Sequence, residues 1–166
     1  MAVEIERKFL LASDAWRMQV SRSEALAQAY LAGPPGARCS VRVRIAGAAA
    51  WLNIKSLGDA IVRDEYEYAI PLADAQRMLD TLCGARVCKR RHHVPCGDLL
   101  FEIDEFEGDN AGLLVAEIGL PAADAPFARP VWLGVEVSGL ERYYNMRLAT
   151  RPYAQWSAAE RAASDV

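Results

Sequence analysis

Charged and apolar residues alternate along segment after segment of this chain, and like charges fall together on one side. Residues two apart on a β-strand share a face. The run Val3-Glu4-Ile5-Glu6-Arg7-Lys8-Phe9 thus sets Glu4, Glu6 and Lys8 against Val3, Ile5 and Phe9. The pattern recurs with Arg42 and Arg44 between Val41, Val43 and Ile45, and with Asn53 and Lys55 flanking Ile54. Arg63, Glu65 and Glu67 alternate with Val62, Tyr66 and Tyr68, with Asp64 interrupting the apolar side. Lys89 and Arg91 share a face, as do Glu102 and Asp104, and Glu117 stands between Ala116 and Ile118. One such strand would read as a half-buried strand with a solvated face. The recurrence, sorted by sign, does not, because a surface built only for solubility mixes charges. The opposite face is too apolar to lie in water. Helices are therefore expected to cover it, with the charged face turned into a closed or curled barrel.

Eight segments carry the strand pattern: 3–10, 25–31, 39–45, 51–56, 62–70, 87–94, 99–106 and 113–120. Their hairpin spacing predicts an antiparallel sheet or barrel. A helix is expected over Leu72–Leu82, with Pro71 at its start, Gly84 past its end, and Leu72, Ala75, Met78, Leu79 and Leu82 on one face. A short, weak helix is expected over 14–20, and helical structure from 141 to 163, broken near Pro152. The Pro/Gly clusters are short, so residues 1–166 are expected to form one domain, of the α+β class and mainly antiparallel β.

Apolar residues make up 52% of the 166, enough for a full core. The formal net charge of −3 gives no bulk attraction to nucleic acid, and no stretch has the length of a membrane span. Residues 1–11 carry two Glu, an Arg and a Lys rather than an unbroken apolar run, so no signal peptide is expected and the cytosol is the expected compartment. There Cys39, Cys83, Cys88 and Cys96 are expected as free thiols. The spacing of Cys83, Cys88, His92, His93 and Cys96 does not match the usual zinc pairs.

The inward set holds seven carboxylates, Glu4, Glu6, Glu65, Glu67, Glu102, Asp104 and Glu117. Against them stand seven cations, Lys8, Arg42, Arg44, Lys55, Arg63, Lys89 and Arg91. Such a lumen is costly without a ligand. Carboxylates hold Mg²⁺ or Mn²⁺ through oxygen, and Arg and Lys hold phosphate oxygens. A metal-complexed triphosphate satisfies both sets.

At this point the chain resembles a known family. Glu4-Ile5-Glu6-Arg7-Lys8 is similar to the Glu-x-Glu-x-Lys signature of the CYTH domain, the triphosphate tunnel metalloenzymes. The likeness continues through Val41 to Arg44, Leu52 to Lys55, Arg63 to Tyr68, Lys89 to Arg91, Glu102 to Phe106, Ala116-Glu117, Trp132 to Val137 and Arg142 to Asn145. It implies an eight-stranded closed tunnel barrel with a polar lumen and helices outside. It also implies a metal-dependent hydrolase, with inorganic triphosphate cut to pyrophosphate and phosphate. Adenylate cyclase, thiamine triphosphatase and a non-catalytic triphosphate- or polyphosphate-binding module are the alternatives. Lys8, Arg42, Arg44, Lys55, Arg63, Lys89 and Arg91 are the expected phosphate ligands. Glu4, Glu6 and Glu117 are the expected metal ligands, and Glu102 and Asp104 are candidates for a second ion. Glu65 and Glu67 are the expected acids for that second ion or for orienting water, beside Lys8 and Tyr30, although the plainer reading of Tyr30 is a core or rim tyrosine. His93 shares parity with Lys89 and Arg91 and is a candidate for one lumen mouth, although the plainer reading of His92 and His93 is strand residues of no special role. The expected partner is a small triphosphate, with no nucleic acid or membrane, and a homodimer is allowed. One place departs from the family pattern: Gly119 stands where a second acid is usual after Glu117, which predicts a weaker metal site.

Overall fold

The computed structural model describes residues 2–163. Among these described residues nine strands form one sheet: β1 (Ala2–Leu11), β2 (Arg22–Ala32), β3 (Cys39–Ala46), β4 (Ala49–Ser56), β5 (Val62–Ala69), β6 (Val87–Cys96), β7 (Leu99–Phe106), β8 (Leu114–Gly119) and β9 (Leu133–Glu136). The hydrogen-bonded order is β5-β4-β3-β2-β6-β7-β8-β1, and a further β1–β5 pairing closes these eight into an antiparallel barrel. The eight segments read from alternation are these eight strands. The ninth, β9, extends the edge of β1 beyond β5: Phe9 pairs with Ala116 of β8 on one side and Glu136 of β9 on the other. Sequence reading missed β9 because four residues give too short a period to recognise. Gly134 permits its close approach, since a Cβ there would lie 2.8 Å from the Leu10 carbonyl oxygen.

Apolar outer faces find cover in two places. Helix α1 (Leu72–Thr81) buries Ala75 and Leu79 against Ala29, Val43 and Ala50 of β2, β3 and β4. The periodic face read from sequence holds except at Leu82, which caps the helix and is mostly exposed. On the opposite wall, Phe9, Val94, Phe101, Ile103, Ala116 and Ile118 pack beneath Trp16, Leu120, Trp132 and Leu133. Trp16 belongs to a 3₁₀ helix over Asp14–Gln19 rather than an α-helix. Cover is not complete, however. Val3 and Tyr68 on the outside of β1 and β5 are 54% and 55% exposed, so the expectation that helices cover the whole outer face fails there. A tyrosine tolerates this because its hydroxyl stays wet.

One end of the lumen is filled. Where β6 begins, β7 ends and β8 begins, the inward parity passes from charge to Val87, Phe106 and Val115. These pack with Val137, Tyr143, Leu148 and Trp156 of the C-terminal segment. That segment was expected as a broken helix. It is instead short pieces, α2 (Asn145–Thr150), α3 (Ala158–Arg161) and single 3₁₀ turns at 141–143 and 153–155. Its residues follow the curved barrel end, which a long straight helix would not fit.

Candidate functional site

The barrel holds a cavity of about 560 Å³, and its walls are the inward residues that the alternation picked out. β1 contributes Glu4, Glu6 and Lys8, β2 Tyr30, β3 Arg42 and Arg44, β4 Lys55, and β5 Arg63, Glu65 and Glu67. β6 adds Lys89 and Arg91, β7 Glu102 and β8 Glu117. Register explains the convergence. Lys8 lies opposite Glu117, Glu117 opposite Glu102, Lys55 opposite Glu65 and Tyr30 opposite Arg42 across neighbouring strands.

One expected residue and one candidate lie elsewhere. Asp104 is wholly buried and off the cavity wall, beneath Lys89 and Arg91. His93 is buried behind Glu102, with Nε2 2.9 Å from Glu24 and Nδ1 3.8 Å from Glu102. The cavity also gains residues from beyond the strands. Asp59, Tyr144, Asn145 and Arg147 line it, and Asn145 Oδ1 accepts from Lys89 Nζ at 3.2 Å. Sequence reasoning gave these four no site role, although Tyr144 and Asn145 fall within the family likeness, because no alternation marks a loop or a single helical turn.

Nearly every charge in the lumen is paired. Lys8 donates to Glu6 at 2.5 Å and to Glu117. Arg91 donates to Glu117 at 2.6 Å, to Glu102, and through Nε and Nη2 to Asp104 at 2.7 and 2.8 Å. Lys55 spans both Glu4 oxygens at 2.6 and 2.7 Å, and Arg63 reaches Glu4 at 3.2 Å. Arg44 holds Glu67 at 2.8 Å, while Asn53 Nδ2 bridges Glu65 at 3.1 Å and Glu67 at 2.6 Å.

Proton affinities follow from this packing. Burial works against the Glu117 carboxylate, yet Lys8, Arg91 and Lys89 hold its pKa well below the usual range. Burial and Glu117 push Glu6 up, but Lys8 and Lys55 leave it lowered. Burial and Glu6 raise Glu4 despite Lys55 and Arg63. Lys8 is raised by Glu117 and Glu6 against the effect of burial. Lys89 goes the other way: burial, helped by Arg91, pushes its ammonium down to about 8 in spite of Asp104.

Arg42 stands apart. It is 8% exposed, and among the described residues no carboxylate lies within ion-pair distance of it. Its neighbour is Tyr30, whose phenol is raised by burial while Arg42 pulls it down. An unpaired buried guanidinium is costly, and it faces the cavity.

Among the described residues no three His, Cys, Asp or Glu side chains are drawn together as metal ligands, since each lumen acid is turned onto a cation. The donor chemistry nevertheless fits a hard divalent ion. Glu6 raises Glu4, and Glu117 raises Glu6, so these three carboxylates share one repelling wall. Gly119 lies opposite Glu6, and a Cβ on it would meet nothing within 4 Å. The four cysteines are free thiols.

A barrel closed on a lumen of interleaved acids and bases, with Arg42 the one buried lumen cation left without a carboxylate among the described residues, has the shape and charge to admit a small polyanion. The CYTH domain model matches residues 2–144, and the chain belongs to that family. It is 38% identical over 154 residues to an inorganic triphosphatase of Acetivibrio thermocellus, covering 92% of this chain and 97% of that relative. It is 35% identical over 150 residues to an inorganic triphosphatase of Nitrosomonas europaea, covering 88% and 96%. Its fold is similar to the crystal structure of the inorganic triphosphatase NE1496, with TM-score 0.63, 33% identity, and 90% and 95% of the two chains covered.

Proposed function

We propose that this chain is a metal-dependent inorganic triphosphatase that cuts triphosphate to pyrophosphate and phosphate inside the barrel. The observation that carries this is Arg42, a buried guanidinium with no carboxylate among the described residues, set among six further strand cations of the lumen and Arg147. Phosphoryl oxygens are its natural partners, and guanidinium takes them two at a time.

Arg42, Arg44, Lys55 and Arg63 lie on three consecutive strands and form one wall, with Lys8, Lys89 and Arg91 facing them from β1 and β6. Together they hold the phosphoryl chain straight for in-line attack, which needs position and charge neutralisation rather than a protein nucleophile. Glu65 and Glu67 are fixed by Asn53 and are placed to orient the attacking water. Tyr30, held beside Arg42 across β2 and β3, lines the same cavity and offers it a hydroxyl. Lys89 is the lumen cation able to give up a proton near neutral pH. Glu4, Glu6 and Glu117 would hold Mg²⁺ or Mn²⁺, which supplies positive charge to the phosphoryl oxygens. Asp104 holds Lys89 and Arg91 in place from below. Among the described residues no helix is long and apolar enough to cross a membrane, and free thiols suit the reducing cytosol.

The test is a substrate panel of triphosphate, pyrophosphate, ATP and thiamine triphosphate, each with Mg²⁺ and with Mn²⁺ and with products identified. Triphosphate should give equal amounts of pyrophosphate and phosphate only when metal is present, and Arg42→Met should lose triphosphate binding. Cyclic nucleotide from ATP, or no metal-dependent phosphate release, would overturn the reading.

A further inference from the structure

Gln28 belongs to none of the charged sets, yet it lines the cavity from the middle of β2. It is 1% exposed, and among the described residues neither its Nε2 nor its Oε1 has a hydrogen-bond partner. A buried amide with both ends unmet is a costly choice for a wall position, where an aliphatic side chain of the same size would fold better.

Its surroundings say what would meet it. Arg44 lies directly across on β3, and Val87 across on β6. The same-face neighbours along β2 are Leu26 and Tyr30, which lie opposite Lys89 and Arg42. The amide therefore sits in a patch bounded by Arg42, Arg44 and Lys89. Cations already crowd one another there, since burial and the nearby Arg42 lower the pKa of Arg44. A further Lys or Arg would be repelled. A second carboxylate on Arg44, beside Glu67, would compete with an anion for it. An amide adds a donor without adding charge.

We infer that Gln28 is a phosphoryl-binding residue, its Nε2 donating to an oxygen of the phosphoryl group gripped by Arg42 and Arg44; this rests on the triphosphatase reading of the same cavity. Its Oε1 is then left to accept from water that hydrates the bound group.

The experiment compares wild type with Gln28→Met, which keeps the volume and removes both hydrogen-bonding atoms. Gln28→Asn is the second variant, keeping the amide but shortening its reach. Triphosphate affinity is measured by calorimetry, kcat and KM by phosphate release, and the ligand-free melting temperature by circular dichroism. Gln28→Met should hold or raise the melting temperature while weakening triphosphate binding about ten- to hundredfold, the loss expected for one hydrogen bond to a charged group. Gln28→Asn should also lose affinity with the fold kept. Wild-type affinity in both variants would overturn the inference, as would a fall in melting temperature with affinity intact, which would mark a merely structural glutamine. A wild type that binds triphosphate without cleaving it would sink the enzyme reading, yet the affinities would still decide on Gln28. A wild type that does not bind triphosphate would sink both.

Discussion

Asp104→Asn separates an anchor from a metal ligand. The substitution is nearly isosteric and opens no void. It removes the charge that holds Lys89 Nζ and the two Arg91 nitrogens at 2.7 and 2.8 Å. Asp104 is 0% exposed, so water cannot replace it. Removing one partner from a buried ion pair costs about 3–5 kcal/mol, because the remaining charges stay buried. At roughly 2–4 °C per kcal/mol for a chain of this size, the melting temperature should fall by roughly 6–20 °C. Lys89 should also drop below about 8, since Asp104 is the strongest influence keeping its proton on. Urea unfolding, with and without triphosphate, reads this out. The midpoint should fall at an unchanged slope, and triphosphate should restore part of the loss by bringing negative charge to the same cations. A stability change below about 1 kcal/mol would refute the reasoning, for that is the range of ordinary substitutions rather than of a broken buried pair. Normal stability with an altered metal requirement would return Asp104 to the metal-binding set.

Glu6→Gln should raise the metal concentration needed for half-maximal turnover while leaving metal-free phosphate binding in place, because only the acid of the Glu4–Glu6–Glu117 wall is lost; metal titration checks it. Gly119→Glu meets open space opposite Glu6 and no positive φ, so it should fold and tighten metal binding by calorimetry. Raising the pH through about 8 discharges Lys89, so triphosphate affinity should fall between pH 7 and pH 9.5. Stability moves oppositely: the folded pKa lies below the unfolded one, so the penalty for the buried ammonium is complete below pH 8. It is lifted between about 8 and 10.5, a gain of roughly 3 kcal/mol that ligand-free urea unfolding across that range would detect.

The strands and the lumen were legible because period two writes a face directly into the sequence. Glu4, Glu6, Lys8, Arg42, Arg44 and Lys55 needed nothing else to be placed on one surface. Asp104 has the same parity as Glu102 but differs in depth, and depth is set by the apolar layer of Val87, Phe106 and Val115, which no single strand reveals. His93 went the same way, turned to Glu24 on the neighbouring strand. The C-terminal segment was misread because its Leu148, Tyr143 and Trp156 imitate a helical face while they fill a barrel end. Gln28 carried no signal at all, since a polar residue on a lumen face is unremarkable until its hydrogen bonds are found unmet.

The pairing of the resting lumen also bears on why metal and triphosphate should enter together. Seven strand cations stand against seven acids, so the empty barrel is close to neutral. A triphosphate alone would bring several negative charges beside Glu4, Glu6 and Glu117 and would have to pull Lys8 and Arg91 from those acids. A divalent ion alone would compete with Lys8 for the same acids. If both were bound, each would relieve the cost of the other: Glu4, Glu6 and Glu117 would be free to hold the ion, and Lys8 and Arg91 to hold phosphate oxygens. Coupling of this kind is reciprocal, so metal must raise triphosphate affinity by the same factor as triphosphate raises metal affinity. On the proposed function, the buried pairs Lys8–Glu117 and Arg91–Glu117 would serve to keep both halves of the site in charge balance until the ligands bind.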